Sequence, residues 1–193
     1  FKLEYNGRYT FSLEYGADHY SWENSDDAPL GGGDDPWQSL HSLSLGAGYN
    51  GSVNERLGYS VILGVESGFE KEMGGSFSPS LFAGLHYSLS PEWMIMAGPV
   101  VSLAPYGEIQ IMGMAQLMYF SSSVPGLSAV IGMPETSISY ALTSSVTLKA
   151  FGTLDSGRYR LANDSDVKEK GYLDKLTVQT GLSLELVPVE GMT

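Results

Sequence analysis

Arg8-Tyr9-Thr10-Phe11-Ser12-Leu13-Glu14-Tyr15-Gly16-Ala17-Asp18 alternates without a break. Successive side chains of a strand point to opposite faces, so Tyr9, Phe11, Leu13, Tyr15 and Ala17 share one side and the polar residues share the other. Helical spacing would mix the two sets on one face. The same period of two returns at Leu43, Leu45, Ala47 and Tyr49, and at Leu57, Tyr59, Val61, Leu63 and Val65, where Ile62 is the exception. It returns again at Leu81, Ala83, Leu85 and Tyr87, and at Leu176, Val178, Leu182 and Leu184. Between these runs stand turn signals: Asn6-Gly7 and Asn50-Gly51, which tolerate positive φ, and the polar stretches at 88–92 and 143–145. The spacing predicts strands over 2–5, 8–22, 38–49, 57–69, 76–88, 93–104, 109–120, 127–132, 136–142, 146–161 and 172–187. A turn at Asp155-Ser156-Gly157 would split the tenth.

Composition narrows the function classes. The 193 residues carry 10 Lys+Arg against 22 Asp+Glu, a net charge of −12. A nucleic-acid partner needs clustered basic residues, so none is expected. Cysteine is absent, which removes a disulfide framework, a zinc ribbon and a thiol nucleophile together. The 24 glycines with 11% aromatics fit turns and sheets. The stretch from Trp93 to Pro134 has Glu108 as its only charge besides its flanks, but Pro99, Pro105, Pro125, Gln110 and Gln116 interrupt any helical span. Strands cross a bilayer in about 9–11 residues with a far weaker signal, so a membrane location stays open. No phosphate-cradling loop, dinucleotide fingerprint or metal-binding helix motif is present, and no cofactor is expected.

Alternating strands arise in soluble sandwiches, with the apolar face inside, and in membrane barrels, with it outside. Three features favour the barrel. The polar-face residues are mostly small, as in Gly46, Gly48, Ser60, Gly64, Ser80, Gly84 and Ser183. Connections are expected to alternate between short and long. Tyr49, Tyr59, Tyr87, Trp93, Tyr119 and Tyr140 stand beside the short turns, while Tyr15, Tyr20, Trp22, Trp37, Phe69, Phe77, Tyr159 and Tyr172 lie near the other strand ends. Such rings favour a membrane interface.

On these residues the chain resembles the outer-membrane β-barrels of Gram-negative bacteria. The stretch from Phe82 through Tyr87-Ser88-Leu89-Ser90-Pro91-Glu92-Trp93 to Pro99 looks like a hairpin of that type. The resemblance implies an all-β, up-and-down antiparallel transmembrane β-barrel of about 10–12 strands, one domain over 1–193, exported to the bacterial outer membrane. It supplies no catalytic motif. Such barrels usually finish on an aromatic residue, which Glu190-Gly191-Met192-Thr193 does not offer. A parent with an even number of strands, twelve, is therefore expected.

Residue roles follow from this frame. Arg8, Glu14, Glu66, His86, Lys149, Lys175, Gln179 and Glu185 are expected to face the lumen, paired or wet. Acidic residues gather in the outer connections: Glu23, Asp26, Asp27, Asp34, Asp35, Glu70, Glu72, Asp164, Asp166 and Glu169. Of these, Asp26, Asp27, Asp34 and Asp35 are the candidate ligands for a divalent cation such as calcium, against the simpler reading of a solvated loop. Met94 and Met96 share one face, and Met112, Met114 and Met118 share one face of the next strand. They read as adaptable wall filling rather than a soft-metal path. His19, and His41 beside Ser42, are the candidate catalytic bases, close across a hairpin. The leading expectation is a passive channel or a structural or ligand-docking barrel whose partner is membrane lipid. The alternatives are a rim hydrolase and a soluble all-β binding module.

Overall fold

The computed structural model describes residues 2–5, 8–23, 35–165 and 167–186. They form eleven strands, and no helix occurs among the described residues. In order these are β1 (Lys2–Tyr5), β2 (Tyr9–His19), β3 (Ser39–Ser52), β4 (Leu57–Phe69), β5 (Phe77–Ser88), β6 (Trp93–Leu103), β7 (Ile109–Phe120), β8 (Leu127–Met133), β9 (Glu135–Ala141), β10 (Val146–Arg160) and β11 (Tyr172–Leu186). Asp155, Ser156 and Gly157 stay inside β10, paired with Thr177, Leu176 and Lys175. The tenth strand is therefore whole.

Each strand pairs antiparallel with the next in sequence order. The register brings the apolar rows side by side: Leu13 with Leu45, Leu45 with Val65, Leu63 with Leu81, and Val101 with Ile111. The sheet then closes by a parallel contact between β4 and β10 at Phe69 and Arg160. Beside it the Glu70 N–H donates to the Arg160 carbonyl at 3.0 Å. Strands β4 to β10 thus make a closed seven-strand barrel, which β1–β3 and β11 extend. Closure is not between first and last strand, as a simple up-and-down barrel would have it. Strands β8 and β9 have only seven residues each, so the 15-residue β10 loses its β9 partner beyond Thr153. Backbone groups left without a ladder must be satisfied elsewhere, and the far end of β10 reaches the end of β4.

One end of the barrel carries short turns. Asn54 Oδ1 accepts the N–H groups of Arg56 and Leu57, and Ser90 Oγ accepts those of Glu92 and Trp93. These are side-chain-built turns of the Asn and Ser type. Asn50-Gly51, expected at a turn, remains in β3 instead. Gly51 is opposite Tyr59, and a Cβ there would lie 2.4 Å from the Tyr59 ring, so the glycine makes room for that ring within the ladder. Asn6-Gly7 lies outside the described residues. The opposite end carries the connections 20–38, 70–76 and 161–171, and is called the loop end here. The expected alternation of short and long fails at 104–108 and at Pro134, which alone separates β8 from β9.

The apolar rows point out of the barrel. Leu63 is 60% exposed, Ile111 74% and Leu182 78%, and Phe11, Leu13, Tyr15, Leu45, Leu85, Ile131 and Ile138 are exposed with them. Their neighbours one residue along are less exposed in β5, β6 and most of β11. The buried apolar residues are only Trp37, Leu40, Phe82, Ala104, Tyr159, Leu161 and Ala162 among the described residues. Apart from Phe82, they lie at the loop end of the sheet or in the connections beside it.

Gly98 marks a point of tight backbone packing in this wall. A Cβ there would stand 2.2 Å from the Ala83 carbonyl oxygen, a backbone atom that cannot swing aside, whereas one at Gly113 would meet nothing within 4 Å. Gly98→Ala is expected to cost about 1–3 kcal/mol, and Gly113→Ala to be neutral, in urea unfolding of the two variants.

Candidate functional site at the loop end

The rim is assembled by two connections that are far apart in sequence. Glu70, Lys71 and Glu72 follow β4, and Ala162, Asn163 and Asp164 follow β10. The Ala162 N–H donates to Glu70 Oε2 at 2.9 Å, and the Asn163 N–H to Glu72 Oε2 at 3.2 Å. Lys71 Nζ donates to both Asp164 oxygens at 2.9 and 3.1 Å. Arg160 adds Nη2 to Asn163 Oδ1 at 2.7 Å and approaches Glu72 at 3.9 Å. Three consecutive residues on one side thus zip onto three on the other. The acidic side chains Glu70, Glu72 and Asp164, placed in the outer connections by the sequence, are hydrogen-bonding partners here, with Asp164 still exposed to solvent.

Beneath the zip lies the one compact apolar cluster among the described residues. Trp37, Leu40, Tyr159 and Leu161 are buried together, with Tyr20, Trp22, Val167 and Leu173 packed against them. The Trp37 ring meets Trp22 and Tyr20 edge-on, and Trp22 Nε1 donates to the Trp37 carbonyl at 2.6 Å. Lys175 reaches Asp18 across the gap between β11 and β2 and lies 5.6 Å from the Tyr20 ring centre. The aromatic residues expected at this end therefore divide. Tyr20, Trp22, Trp37 and Tyr159 cap the sheet, while Tyr15, Phe77 and Tyr172 are exposed and Phe69 stacks on His41.

Of the residues expected to face the lumen, Lys149 forms an ion pair with Glu135 at 2.8 Å. Glu14, Glu66 and His86 share one face of the sheet, in the register Glu14–Ser44–Glu66 and Gly58–His86, with Glu14 exposed and Glu66 and His86 half-buried. Gln179 and Glu185 lie on the same face of β11, opposite Thr153 and Thr147, and both are exposed. Arg8 precedes β2, and its carbonyl accepts from the Asn50 N–H at 2.7 Å. A cavity of about 490 Å³ lies between Glu66, Ser80, Ser102 and Gln110 on one side and the Arg158–Asp174 pair on the other. At the turn end, Tyr49 packs on Tyr9 and Tyr59, and Trp93 on Tyr119, while Tyr87 and Tyr140 are exposed on their strands' apolar rows. Met94 lies opposite Met118, and Met114 opposite Gly98, all on the rows that alternate with the exposed ones.

The histidines separate. His19 is exposed and lies opposite Ser39 in the ladder; His41 lies opposite Ala17. His41 is stacked between Tyr15 and Phe69, at 6.1 and 5.5 Å between ring centres. Its Nδ1 is 2.8 Å from Tyr15 Oη and its Nε2 3.2 Å from Ser39 Oγ. The serine that meets this imidazole is Ser39, two residues back on the same face, and not the adjacent Ser42. Spacing of two on a strand is the signal that points to it.

For a cation, Asp26, Asp27 and Asp34 lie outside the described residues, and Asp35 is exposed. No group of three His, Asp or Glu among the described residues is arranged to hold a metal ion. Ser39, Asp35, Glu70 and Lys71 instead border a smaller, mostly polar cavity of about 240 Å³.

The fold defines the chain as an all-β barrel protein. Comparison with protein-family models, curated proteins and solved structures finds no match.

The zip makes a titration prediction. The Lys71 hydrogen bond holds the Asp164 carboxyl below the ordinary aspartate range, and the Asp164 bond pushes the Lys71 ammonium above its ordinary value. The link is then complete above the ordinary aspartate pKa and is lost as pH falls through the depressed one; at the other extreme it survives until pH passes the raised lysine value. Lys71→Met is expected to return the Asp164 titration to the ordinary aspartate range, read by carboxyl carbon NMR.

Proposed function

We propose that this chain is a β-barrel integral to a bacterial outer membrane, with its exposed apolar rows in hydrocarbon and its polar rows lining the interior. One observation carries this reading: the large apolar side chains point outward from strand after strand. Ten such residues at half exposure present on the order of 1000 Å² of apolar surface, against roughly 300–600 Å² for the largest patch of an ordinary soluble monomer. A soluble module would turn those rows inward. Two lysines of the inner rows are paired, Lys149 with Glu135 and Lys175 with Asp18, and the loop end is capped by the Trp37 cluster. Those features favour a structural or ligand-docking barrel over a wide open pore.

The test turns on a change of sign. Leu63→Lys places a charge on the exposed row at mid-strand. In lipid the substitution costs about 2–4 kcal/mol; on a water-facing surface it would leave stability unchanged within roughly 0.5 kcal/mol. Urea unfolding in lipid vesicles is expected to give the large loss, and a neutral result would sink the membrane reading.

The contacts of His41 favour a second reading, a rim hydrolase. With Nδ1–H donated to Tyr15 Oη, Nε2 is free to accept the Ser39 hydroxyl proton, the arrangement that activates a serine toward an ester. Labelling of the protein by a fluorophosphonate is the measurement. Label on wild type that disappears in Ser39→Ala and His41→Gln supports the hydrolase; no label on wild type removes it.

A further inference from the structure

We infer that the barrel wall holds a binding slot for an uncharged single-chain amphiphile, with its alkyl tail between β7 and β10 and its hydroxyl head in the interior. The inference goes beyond the membrane reading and does not rest on it, because the slot is made by unequal strand lengths and not by the exposed rows.

The β8–β9 hairpin is too short for its neighbours. Strand β8 pairs with β7 only from Ala115 to Phe120, and β9 pairs with β10 only from Thr147 to Thr153. Beyond those points β7 and β10 run on toward the loop end with no strand between them. A cavity of about 210 Å³ occupies the gap. Val100, Met112 and Met114 of the β6–β7 pair line one side, and Leu154 and Leu176 of the β10–β11 pair line the other. Met133 and Pro134 close the end toward the hairpin, where the Pro134 carbonyl accepts the Leu154 N–H at 2.9 Å. Met112 is 56% exposed and Leu176 69%, so both walls have free surface to offer. Asp155 and Ser156 are the polar members of the lining.

The shape of the gap selects its occupant. Strands β7 and β10 run in opposite directions, so a single peptide strand inserted there would meet one of them parallel, the less stable pairing. An alkyl chain needs no backbone partner, and flexible thioethers adapt to it. An apolar cavity of about 150 Å³ holds benzene, so this one takes a chain of roughly eight carbons.

The slot does not end blindly. Val100, Met112, Ser156 and Leu176 also line the 490 Å³ interior cavity, so the two spaces meet at these residues. A chain that fills the slot therefore delivers its head to a wall of Ser78, Ser80, Ser102 and Gln110. Charges on that wall cancel, Glu66 and Asp174 against Arg158 and Lys175. Both cations already hold carboxylates, Arg158 that of Asp174 and Lys175 that of Asp18. An anionic head finds no free cation there and passes Asp155 on the way; a cationic head meets Arg158 and Lys175. A hydroxyl head both donates and accepts, which matches serine and glutamine partners.

The experiment uses the full chain with carbon-13 methionine methyl groups, in a detergent whose fused steroid rings are too bulky for the slot. Decanol, decyl sulfate, decyltrimethylammonium and butanol are titrated separately, each as a mole fraction of the detergent. The expected result is a saturable shift of the Met112, Met114 and Met133 methyl resonances by decanol, with Met94 and Met118 unmoved. Butanol and the two charged amphiphiles are expected to bind at least tenfold more weakly. Met112→Trp fills the junction of the two spaces, and Leu154→Ser removes apolar wall. Each is expected to weaken decanol binding about tenfold, read at Met114 and Met133. Four outcomes would overturn the inference: no saturation by decanol, shifts of equal size at Met94 and Met118, a charged amphiphile binding as tightly as the alcohol, or an affinity untouched by the two substitutions. None of these bears on Leu63→Lys, so the two readings fail separately.

Discussion

A strand assigns every residue to one of two sides, and a sheet that curls onto itself converts those sides into an interior and an exterior. Everything else in this protein follows from the way its sequence loads the two. Serine, glycine, methionine and scattered charge fill most of the inner rows, where neighbouring backbones come close; leucine, isoleucine, valine and tyrosine occupy the outer ones. Because the side-chain period is two, a slip of one residue anywhere in the register would exchange the sides along a whole strand. The ladder is protected against that slip by turns that Asn54 and Ser90 build from their own side chains.

The loop end breaks the rule of the wall, and that is where chemistry gathers. Leu40, Tyr159 and Leu173 belong to inner rows yet are apolar, and they join Trp37 and Leu161 in a small core. This core gives the connections something to rest on, and the Glu70–Glu72 zip ties them down. Binding surfaces need rigid support, and loops acquire it here from packing below and ionic contacts above. His41 gains its fixed orientation in the same way, between the rings of Tyr15 and Phe69.

The strands were legible in the chain because alternation is local: Arg8 to Asp18 announces β2 without reference to anything else. The expected bounds of all eleven strands lie close to those observed. What local pattern does not carry is the meeting of distant segments. Nothing in Glu70-Lys71-Glu72 names Ala162-Asn163-Asp164, some ninety residues on, so the sequence places their acidic side chains in outer connections without pairing them. Nor does alternation say where a sheet will close; that depended on β8 and β9 being too short to accompany β10. The Ser39–His41 contact stood within reach of the sequence, since residues two apart on a strand share a side, but adjacency drew attention to Ser42.

The two flanking strands of the sheet carry a directional constraint. Tyr5 of β1 is opposite Tyr9, next to the turn, and Leu186 of β11 is opposite Val146, also next to a turn. Both strands therefore travel toward the same end of the barrel. Brought edge to edge they would be parallel neighbours, so a seam there that is antiparallel throughout can admit one intervening strand, or three, but never none and never two. The parity of the whole sheet is fixed by the direction of its outermost members.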